Sequence, residues 1–184
     1  MSAAGTPADG AAAAVPADDE VDRHRRRVLW ALPTGLYLVG SRAGDEVNLM
    51  TANFVVQVCI DPKLVAVALE RDSVTRRLVT AGGSFAISLL QRTDRDVVRR
   101  FVKPVTDVER DPAGAVLAMS GHPVTEAGTD RLPVFGAAAG YIACRLTAAE
   151  ELGSHTLCIG EVIEVRGEPS EVLRMEDTRM HYGG

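Results

Sequence analysis

The stretch that decides the fold of this chain is residues 47–75, which read VNLMTANFVVQVCIDPKLVAVALERDSVT. Val47 to Ile60 is rich in β-branched and apolar side chains, which predicts a long strand, and Asp61-Pro62 closes it. Lys63 to Leu69 is apolar nearly throughout, which predicts a strand covered on both faces. The centre of the chain is therefore expected to be β-structure.

The sequence on either side of this stretch repeats the pattern. Further strands are predicted over Leu36–Val39, Phe85–Leu90, Ala139–Glu150 and His155–Gly167. Ala43–Glu46 and Glu151–Ser154 each contain a glycine among polar residues, as hairpin connections do. Lys103–Pro133 is rich in Pro, Gly and Asp with weak periodicity, which predicts a loop with at most one short helix.

Three short helices are expected, over Val21–Leu32, Val74–Thr80 and Arg95–Val102. Asp72-Ser73 supplies the N-cap of the second helix, and Gly82-Gly83 ends it. Thr93 with Asp96 three residues later resembles a capping box for the third helix.

About six strands joined mostly by short turns, with two or three short helices, favour a closed antiparallel barrel over a sandwich or a βαβ sheet. No GxGxxG follows a strand and no GxxxxGK[ST] is present, so neither a Rossmann turn nor a P-loop is expected. Residues 1–20 are dominated by Ala, Gly, Pro and Asp, which predicts a disordered tail. Residues 21–184 are expected to form one domain.

Composition and charge exclude several classes of function. The 184 residues are 46% hydrophobic and 24% charged, as in an ordinary globular protein. A net charge of −5 argues against a nucleic-acid binder, and the basic run Arg23–Arg27 is interpreted as a solvated helix face. No apolar stretch is long enough to span a bilayer and no signal peptide is recognisable, so we expect a cytoplasmic protein without a membrane partner.

The cysteines Cys59, Cys144 and Cys158 are widely spaced, each inside an apolar run. No CxxC or Cys/His cluster is present, so a zinc site is not expected. Buried free thiols are the favoured interpretation, although the sequence does not tell which cysteines approach each other.

Three segments carry candidate chemistry, and each has a purely structural alternative. In Asn48–Phe54, polar residues interrupt an apolar strand, which by itself favours a solvent-facing stripe over a ligand site. In Glu70–Thr75 a strand runs into a helix, so anion binding at the helix N-terminus and ordinary N-capping are equally supported. In Gly153–Thr156, His155 begins a strand and could donate to a ligand, but a lone histidine is more often structural.

The order and spacing of the motifs are more informative than any one of them. Pro33-Thr34-Gly35 is followed by MTANF (residues 50–54), Asp61-Pro62, DSVT (72–75), GSFAISLL (83–90) and SHTLCIGEV (154–162). This series resembles the flavin reductase family, whose members share the FMN-binding split barrel, and it covers about Val28 to Gly167. The resemblance implies a mainly β fold with short helices, a Greek-key-like antiparallel split barrel.

The resemblance also implies a function and a set of site residues. Members are typically homodimers that reduce FAD or FMN with NADH or NADPH and supply reduced flavin to a partner flavin-dependent monooxygenase. The implied cofactor-binding residues are Asn48, Thr51, Ala52, Asn53, Phe54, Ser73, Thr75, Phe85, Ala86, Ser88 and Lys103. His155 is the implied catalytic residue, beside the flavin face where the nicotinamide stacks.

By the resemblance, Thr51 to Phe54 line the isoalloxazine, and Ser73 and Thr75 hold the flavin phosphate. Phe85, Ala86 and Ser88 lie along the ribityl chain or the ring. Lys103, together with Arg99 and Arg100, lies in a part of the family that can reach the phosphates.

The sequence departs from the family pattern at Ala52-Asn53, at Ser88 and at Ser154. Ser154 stands where the family has an Asp, which removes a carboxylate that could orient or charge His155.

The expected reaction is hydride transfer from nicotinamide C4 to flavin N5, with NADH preferred, and it requires no protein acid or base. Two alternatives remain open from the residues. One is a tightly bound flavin electron carrier of the same fold, and the other is a barrel that binds a ligand other than flavin. Flavin-dependent oxidation of NADH separates all three.

Overall fold

A computed structural model of the chain describes residues 19–168 and 171–182. The chain divides into two compact units, Met1–Leu32 with His181–Gly184, and Pro33–Met180. Of the predicted tail, residues 1–18 lie outside the described residues, whereas residues 19 and 20 already belong to a helix.

The first unit contains one helix, α1, over Asp19–Leu29. It begins two residues earlier than predicted, and an i,i+4 ion pair at 3.0 Å joins Asp22 to Arg26. Arg23, Arg25 and Arg27 are exposed, as expected for a solvated basic face. The ring of Trp30, just after the helix, lies 5.0 Å from that of His181.

The second unit is mostly β-structure. Its first strands are β1 (Tyr37–Ala43), β2 (Glu46–Ala52), β3 (Val55–Cys59), β4 (Leu64–Glu70) and β5 (Ser84–Leu89). They are followed by β6 (Val108–Arg110), β7 (Val116–Met119), β8 (His122–Ala127), β9 (Leu132–Phe135), β10 (Gly140–Leu152) and β11 (His155–Gly167). The helices are α2 (Val74–Gly82) and α3 (Arg95–Val98), and 3₁₀ turns lie at Arg92–Asp94, Arg99–Phe101 and Met175–Asp177.

Seven strands form one antiparallel sheet in the order β2-β1-β5-β10-β11-β4-β3. The two edge strands, β2 and β3, are consecutive in the chain and are joined only by Asn53 and Phe54. Because two residues span so little distance, the sheet must roll until its edges approach each other. The predicted antiparallel split barrel is confirmed, with its split between β2 and β3.

One long strand over Val47–Ile60 was predicted, and this is wrong. The Val55 N–H donates to the Asn53 carbonyl at 3.0 Å, so the chain turns there and passes from one edge of the sheet to the other. The composition of the segment is β-rich throughout, and the break depends on this local hydrogen bond.

Apolar side chains fill the barrel, among them Val39, Val67, Leu69, Phe85 and Ile87. Gly160 of β11 lies against the Phe85 ring, and a Cβ atom at this position would come within 2.6 Å of a ring carbon. The close approach of β11 to the ring therefore requires glycine.

The prediction of a loop over Lys103–Pro133 is wrong, because this segment contains strands β6, β7 and β8 and the start of β9, which together form a four-stranded sheet. Its strands have only three to six residues. Turns containing Gly114, Gly121 and Gly128 at positive φ separate them. Such strands are too short to produce a period that stands out among turn residues.

The third helix also differs from prediction. It starts with a 3₁₀ turn, and the capping box joins Gln91 to Asp94, where the Gln91 N–H donates to the Asp94 carboxylate at 2.7 Å. The predicted pair of Thr93 and Asp96 is therefore wrong by two positions.

The end of the second unit packs against the barrel. Leu173 is fully buried, its N–H donates to the Leu90 carbonyl at 2.8 Å, and its carbonyl accepts from Leu36 at 2.7 Å. The Met175 N–H donates to the Thr34 carbonyl at 3.0 Å.

Candidate functional site

Three of the predicted segments converge at one end of the barrel. The Phe54 carbonyl accepts from the Ala68 N–H at 3.0 Å, which fixes the β2–β3 turn beside β4. His155 is the register partner of Glu70, and its ring centroid lies 5.7 Å from that of Phe54 in an edge-on arrangement. The Arg71 N–H donates to the Ser154 carbonyl at 3.0 Å. The start of α2, the Phe54 ring and the β10–β11 turn therefore lie side by side.

Ser73 caps α2, because its hydroxyl oxygen accepts from the Arg76 N–H at 3.1 Å. The hydroxyl hydrogen remains available to a ligand, and the first turn carries no acidic residue. A helix N-terminus with free N–H groups favours an anion. Both predictions for Ser73, the cap and the potential anion donor, are compatible with one conformation.

Arg76, in the first turn of α2, was missed by sequence reasoning. Its Nε donates to the Arg71 carbonyl at 2.6 Å, which holds the guanidinium over the strand–helix connection. The helix dipole disfavours a cation at this end, so a basic residue in the first turn was a usable signal for an anion site. The neighbouring Arg77 is paired with Glu46 of β2.

Thr75 and Asn48 are engaged with the protein interior. Thr75 is fully buried and its Oγ1 accepts from Asn48 Nδ2 at 2.8 Å, while Asn48 Oδ1 accepts from the Val105 N–H at 2.9 Å. Asn48 therefore joins β2 to α2 and to the segment that carries Lys103, which is exposed. This arrangement brings Lys103 toward α2 but turns the Thr75 hydroxyl away from a surface ligand.

The other polar residues of β2 and of the turn after it also have protein partners. Thr51 Oγ1 donates to the Val98 carbonyl at 2.7 Å, which places the exposed Arg99 and Arg100 beside β2. Asn53 is buried, and its Nδ2 lies 3.5 Å from Thr34 Oγ1. The alternative of a solvent-facing stripe is wrong for Asn48 and Asn53, because both are buried. Ala52 belongs to the barrel core.

The segment Phe85–Ser88 lies inside the protein. Phe85 and Ala86 are fully buried in separate apolar clusters, and the Ser88 hydroxyl accepts from the Phe135 N–H at 3.1 Å. These three side chains present no accessible surface in this chain, and their assignment to the ribityl chain or the ring stays a prediction.

His155 is half-buried, and its Nδ1 lies 2.8 Å from Ser154 Oγ. Of the twelve predicted site residues, Phe54, Ser73 and His155 come together at an accessible surface. Lys103 lies two residues before Val105, whose N–H donates to Asn48.

The three cysteines are free. Burial raises the pKa of Cys144 to about 12 and that of Cys158 to about 11, so both stay as thiols at neutral pH. Among the described residues, no group of three or more His, Cys, Asp or Glu side chains could hold a metal ion. Within the same residues, none of the helices has the length and apolar character needed to cross a membrane.

A split antiparallel barrel with a capped helix N-terminus beside an exposed aromatic ring and a histidine is an arrangement suited to a nucleotide cofactor. Residues 29–184 match the family model described as "Flavin reductase like domain", and the chain belongs to this family. The predicted resemblance is thereby confirmed.

Curated relatives agree with the family. The chain is 31% identical over 145 residues to an NADH-dependent FAD reductase of Streptomyces globisporus, covering 79% of this chain and 76% of that protein. It is 31% identical over 142 residues to a probable flavin reductase of Rhizobium meliloti, but it spans only 42% of that protein's length.

Solved structures give the same result. The NADH:FAD oxidoreductase SgcE6 of Streptomyces globisporus, in complex with NAD and FAD fragments, superposes with a TM-score of 0.68 at 26% identity, over 85% of this chain and 88% of that one. The styrene monooxygenase flavin reductase of Pseudomonas putida S12 superposes with a TM-score of 0.63 at 25% identity, over 79% and 87%.

Proposed function

We propose that this chain is an NADH-dependent flavin reductase that reduces FAD or FMN and supplies the reduced flavin to a partner flavin-dependent monooxygenase. The observation that carries the proposal is the convergence of the α2 N-terminus, Phe54 and His155 in a chain of the flavin reductase family. The relative in Streptomyces globisporus acts on FAD with NADH, and the neighbour in Pseudomonas putida serves styrene monooxygenase. In this proposal NADH is preferred over NADPH as the reductant, and the protein is cytoplasmic.

The residues present fit a flavin mononucleotide or dinucleotide. Ser73 offers a hydroxyl and Arg76 a guanidinium to a phosphate at the helix N-terminus, without an acidic residue in the first turn. Phe54, 37% exposed, offers an apolar surface to an aromatic ring. When bound, the flavin accepts a hydride from the reduced nicotinamide, and this chemistry belongs to the cofactors.

The contribution of the chain is to bind and to orient. Ser73 and Arg76 would hold the phosphate, the backbone of Thr51 to Phe54 would bind the polar edge of the ring, and His155 would border the nicotinamide. No side chain has to give or take a proton, which fits a site whose polar groups are a cap, a guanidinium and one imidazole. Binding must remain reversible, since reduced flavin has to leave.

A homodimer is part of the proposal. The edge strand β3 and the residue after it expose Val56, Val58 and Ile60, with 58%, 49% and 79% of their surface accessible. Exposed apolar side chains along a barrel edge support an interface with another chain. This face is continuous with Phe54, so a second copy placed there would border the candidate flavin site.

The test is NADH oxidation by the purified protein, followed at 340 nm with FAD, with FMN and without added flavin. Turnover that requires added flavin supports the reductase. A permanently yellow protein that oxidises NADH slowly, at a rate that added flavin does not change, would identify the electron carrier instead. A protein that binds neither FAD nor FMN would contradict both the reductase and the electron carrier.

A further inference from the structure

A short segment near the end of the second unit fills a gap between two neighbouring strands. The pairing of β1 with β5 starts at Tyr37. Just before that point Leu173 lies between the two chains, where its N–H donates to the Leu90 carbonyl at 2.8 Å and its carbonyl accepts from the Leu36 N–H at 2.7 Å. Residues 171–177, which we call the C-terminal strap, therefore tie the start of β1 to the end of β5.

Two side chains hold the C-terminal strap in this gap. Leu173 is fully buried in the core cluster that also contains Leu36. Asp177 accepts from the Arg174 N–H at 3.0 Å and pairs with Arg92 at 2.9 Å. A segment docked by one buried side chain and one ion pair can open locally while the barrel stays folded.

The docked strap also fixes the segment before β1, which leads to the candidate flavin site. The Met175 N–H donates to the Thr34 carbonyl at 3.0 Å. Thr34 Oγ1 in turn accepts from Nδ2 of the buried Asn53 at 3.5 Å, the long end of hydrogen-bond distances. Asn53 directly precedes Phe54 in the β2–β3 turn. Thr34 therefore contacts the strap with its backbone and the turn with its side chain.

A second contact joins the same turn to the core cluster of Leu173. Thr51 Oγ1 donates to the Val98 carbonyl at 2.7 Å, and Val98 belongs to that cluster. Because protein cores are close-packed, the loss of one member disturbs its neighbours. Undocking of the strap would take Leu173 out of the cluster and so loosen both anchors of the turn, Thr34 and Val98.

We propose that docking of the C-terminal strap and binding of the flavin favour each other, with Thr34 as the positioning residue between them. The inference rests on the proposed function, because Thr51 to Phe54 are the residues expected to meet the flavin ring. A docked strap restricts the turn, so less conformational entropy remains to be lost when the flavin binds. By linkage, bound flavin must then hold the strap in place to the same extent.

Hydrogen exchange of single amides tests this coupling in the native protein. The N–H groups of Leu36, Leu173 and Met175 lose their hydrogen bonds when the strap opens. With free FMN at about 100 times its Kd, these amides should exchange at least about tenfold more slowly, and roughly a hundredfold if the open form binds no flavin. The Gly114 N–H, in the turn between β6 and β7, is the control and should be unchanged. Binding of FMN without slower exchange of the strap amides would overturn the inference.

Variants of Thr34 test its role between the strap and the turn. Thr34→Val removes the hydroxyl that faces Asn53 and keeps the backbone bond to the strap. With FMN at about 100 times the variant's own Kd, most of the slowing should be lost, and Thr34→Ser should restore it. Protection against global unfolding depends only on saturation, so it would be the same in all three proteins. Slowing of native size in Thr34→Val would therefore overturn the role of Thr34.

A measurement without flavin separates the inference from the proposed function. Asp177→Asn and Leu173→Ala each weaken docking of the strap, so the Ala68 N–H, which donates to the Phe54 carbonyl, should exchange at least about tenfold faster. Glu126→Gln, which removes a carboxylate from the second sheet, is the control and should leave this amide unchanged. A protein that binds no flavin would remove the reductase proposal. An unchanged Ala68 amide in both strap variants would overturn the coupling.

Discussion

Arg76 sits where a helix least favours a positive charge, in the first turn of α2 behind the cap residue Ser73. Its Nε is already fixed by the Arg71 carbonyl, so little side-chain entropy remains to be lost when the guanidinium meets an anion. We therefore predict that Arg76→Ala weakens FMN binding by about 1.5–3 kcal/mol, or roughly ten- to a hundredfold. Titration of flavin fluorescence measures this affinity.

Two comparisons test whether the loss of affinity comes from the contact between Arg76 and the flavin phosphate. Riboflavin has no phosphate, so its affinity should be the same for native protein and for Arg76→Ala; an equal loss for riboflavin would contradict the assignment. Arg77→Ala is the matched control, because Arg77 is exposed and paired with Glu46. Ser73→Ala should also weaken FMN binding, with an additional loss of about 1 kcal/mol in stability from the missing cap.

Asn48 has a different role at the same scale, because it is buried and both ends of its amide are used. Asn48→Ala leaves the Val105 N–H and the Thr75 hydroxyl without their partner, which should cost about 1–3 kcal/mol of unfolding free energy. Urea denaturation measures the loss, and Thr93→Ala, at an exposed position, is the control. A variant as stable as the native protein would mean that the amide is not needed to join β2 to α2.

At the scale of elements, Glu126 of β8 joins the two sheets. Its carboxylate is paired with Arg42 of β1 at 2.6 Å and with Arg131 at 2.7 Å, and it accepts from the Val116 N–H at 3.1 Å. Burial alone would raise the pKa of Glu126, but these hydrogen bonds and the two arginine charges outweigh it and lower the pKa below its ordinary 4.5.

A pKa that is lower in the folded state stabilises the fold above the unfolded-state pKa, and this contribution disappears as the pH falls through the folded-state value. Glu126→Gln should therefore cost about 1.5–3 kcal/mol at pH 7, and the difference from native protein should shrink as the pH falls below 4.5. Urea denaturation at pH 7, 5, 4 and 3 measures it. A difference that is constant with pH would contradict the role of the charge.

The elements that could be predicted from sequence are those with a local signal. The β1–β2 and β10–β11 hairpins, the cap at Ser73 and the end of α2 at Gly83 follow from turn and cap residues, and they occur where predicted. The second sheet could not be predicted, because its strands are shorter than the window in which alternation can be recognised. The break after Asn53 depends on a local hydrogen bond, and the burial of Leu173 depends on contacts with distant residues; composition encodes neither.

The candidate site, too, could be predicted only where its residues follow a local sequence signal. Ser73 and His155 stand at a helix start and a hairpin end, so their neighbourhoods were visible in sequence. Whether Thr75, Phe85 or Ser88 face a ligand or the interior depends on which side of a strand or helix is covered, and strands covered on both faces have no alternation to reveal it. Arg76 could have been predicted, because a basic residue in the first turn of a helix is unfavourable unless an anion binds there.

At the scale of the whole molecule, the split in the barrel leaves β3 as an edge strand beside the site. Its exposed Val56 and Val58, with Ile60 beyond them, follow Phe54 in the chain. A sheet edge that carries apolar side chains tends to pair or pack with another chain unless charges protect it. Covering this face with a second copy would remove apolar surface from water and close one side of the flavin site.

We therefore predict that Val56→Asp combined with Val58→Asp converts a dimer into a monomer and weakens flavin binding at least tenfold, although neither residue belongs to the predicted cofactor-binding set. Light scattering after size-exclusion chromatography gives the mass, and flavin titration gives the affinity. Leu117→Asp, at an exposed apolar position of β7, is the control and should leave both unchanged. A native monomer, or a monomeric variant with native flavin affinity, would show that one chain forms the site alone.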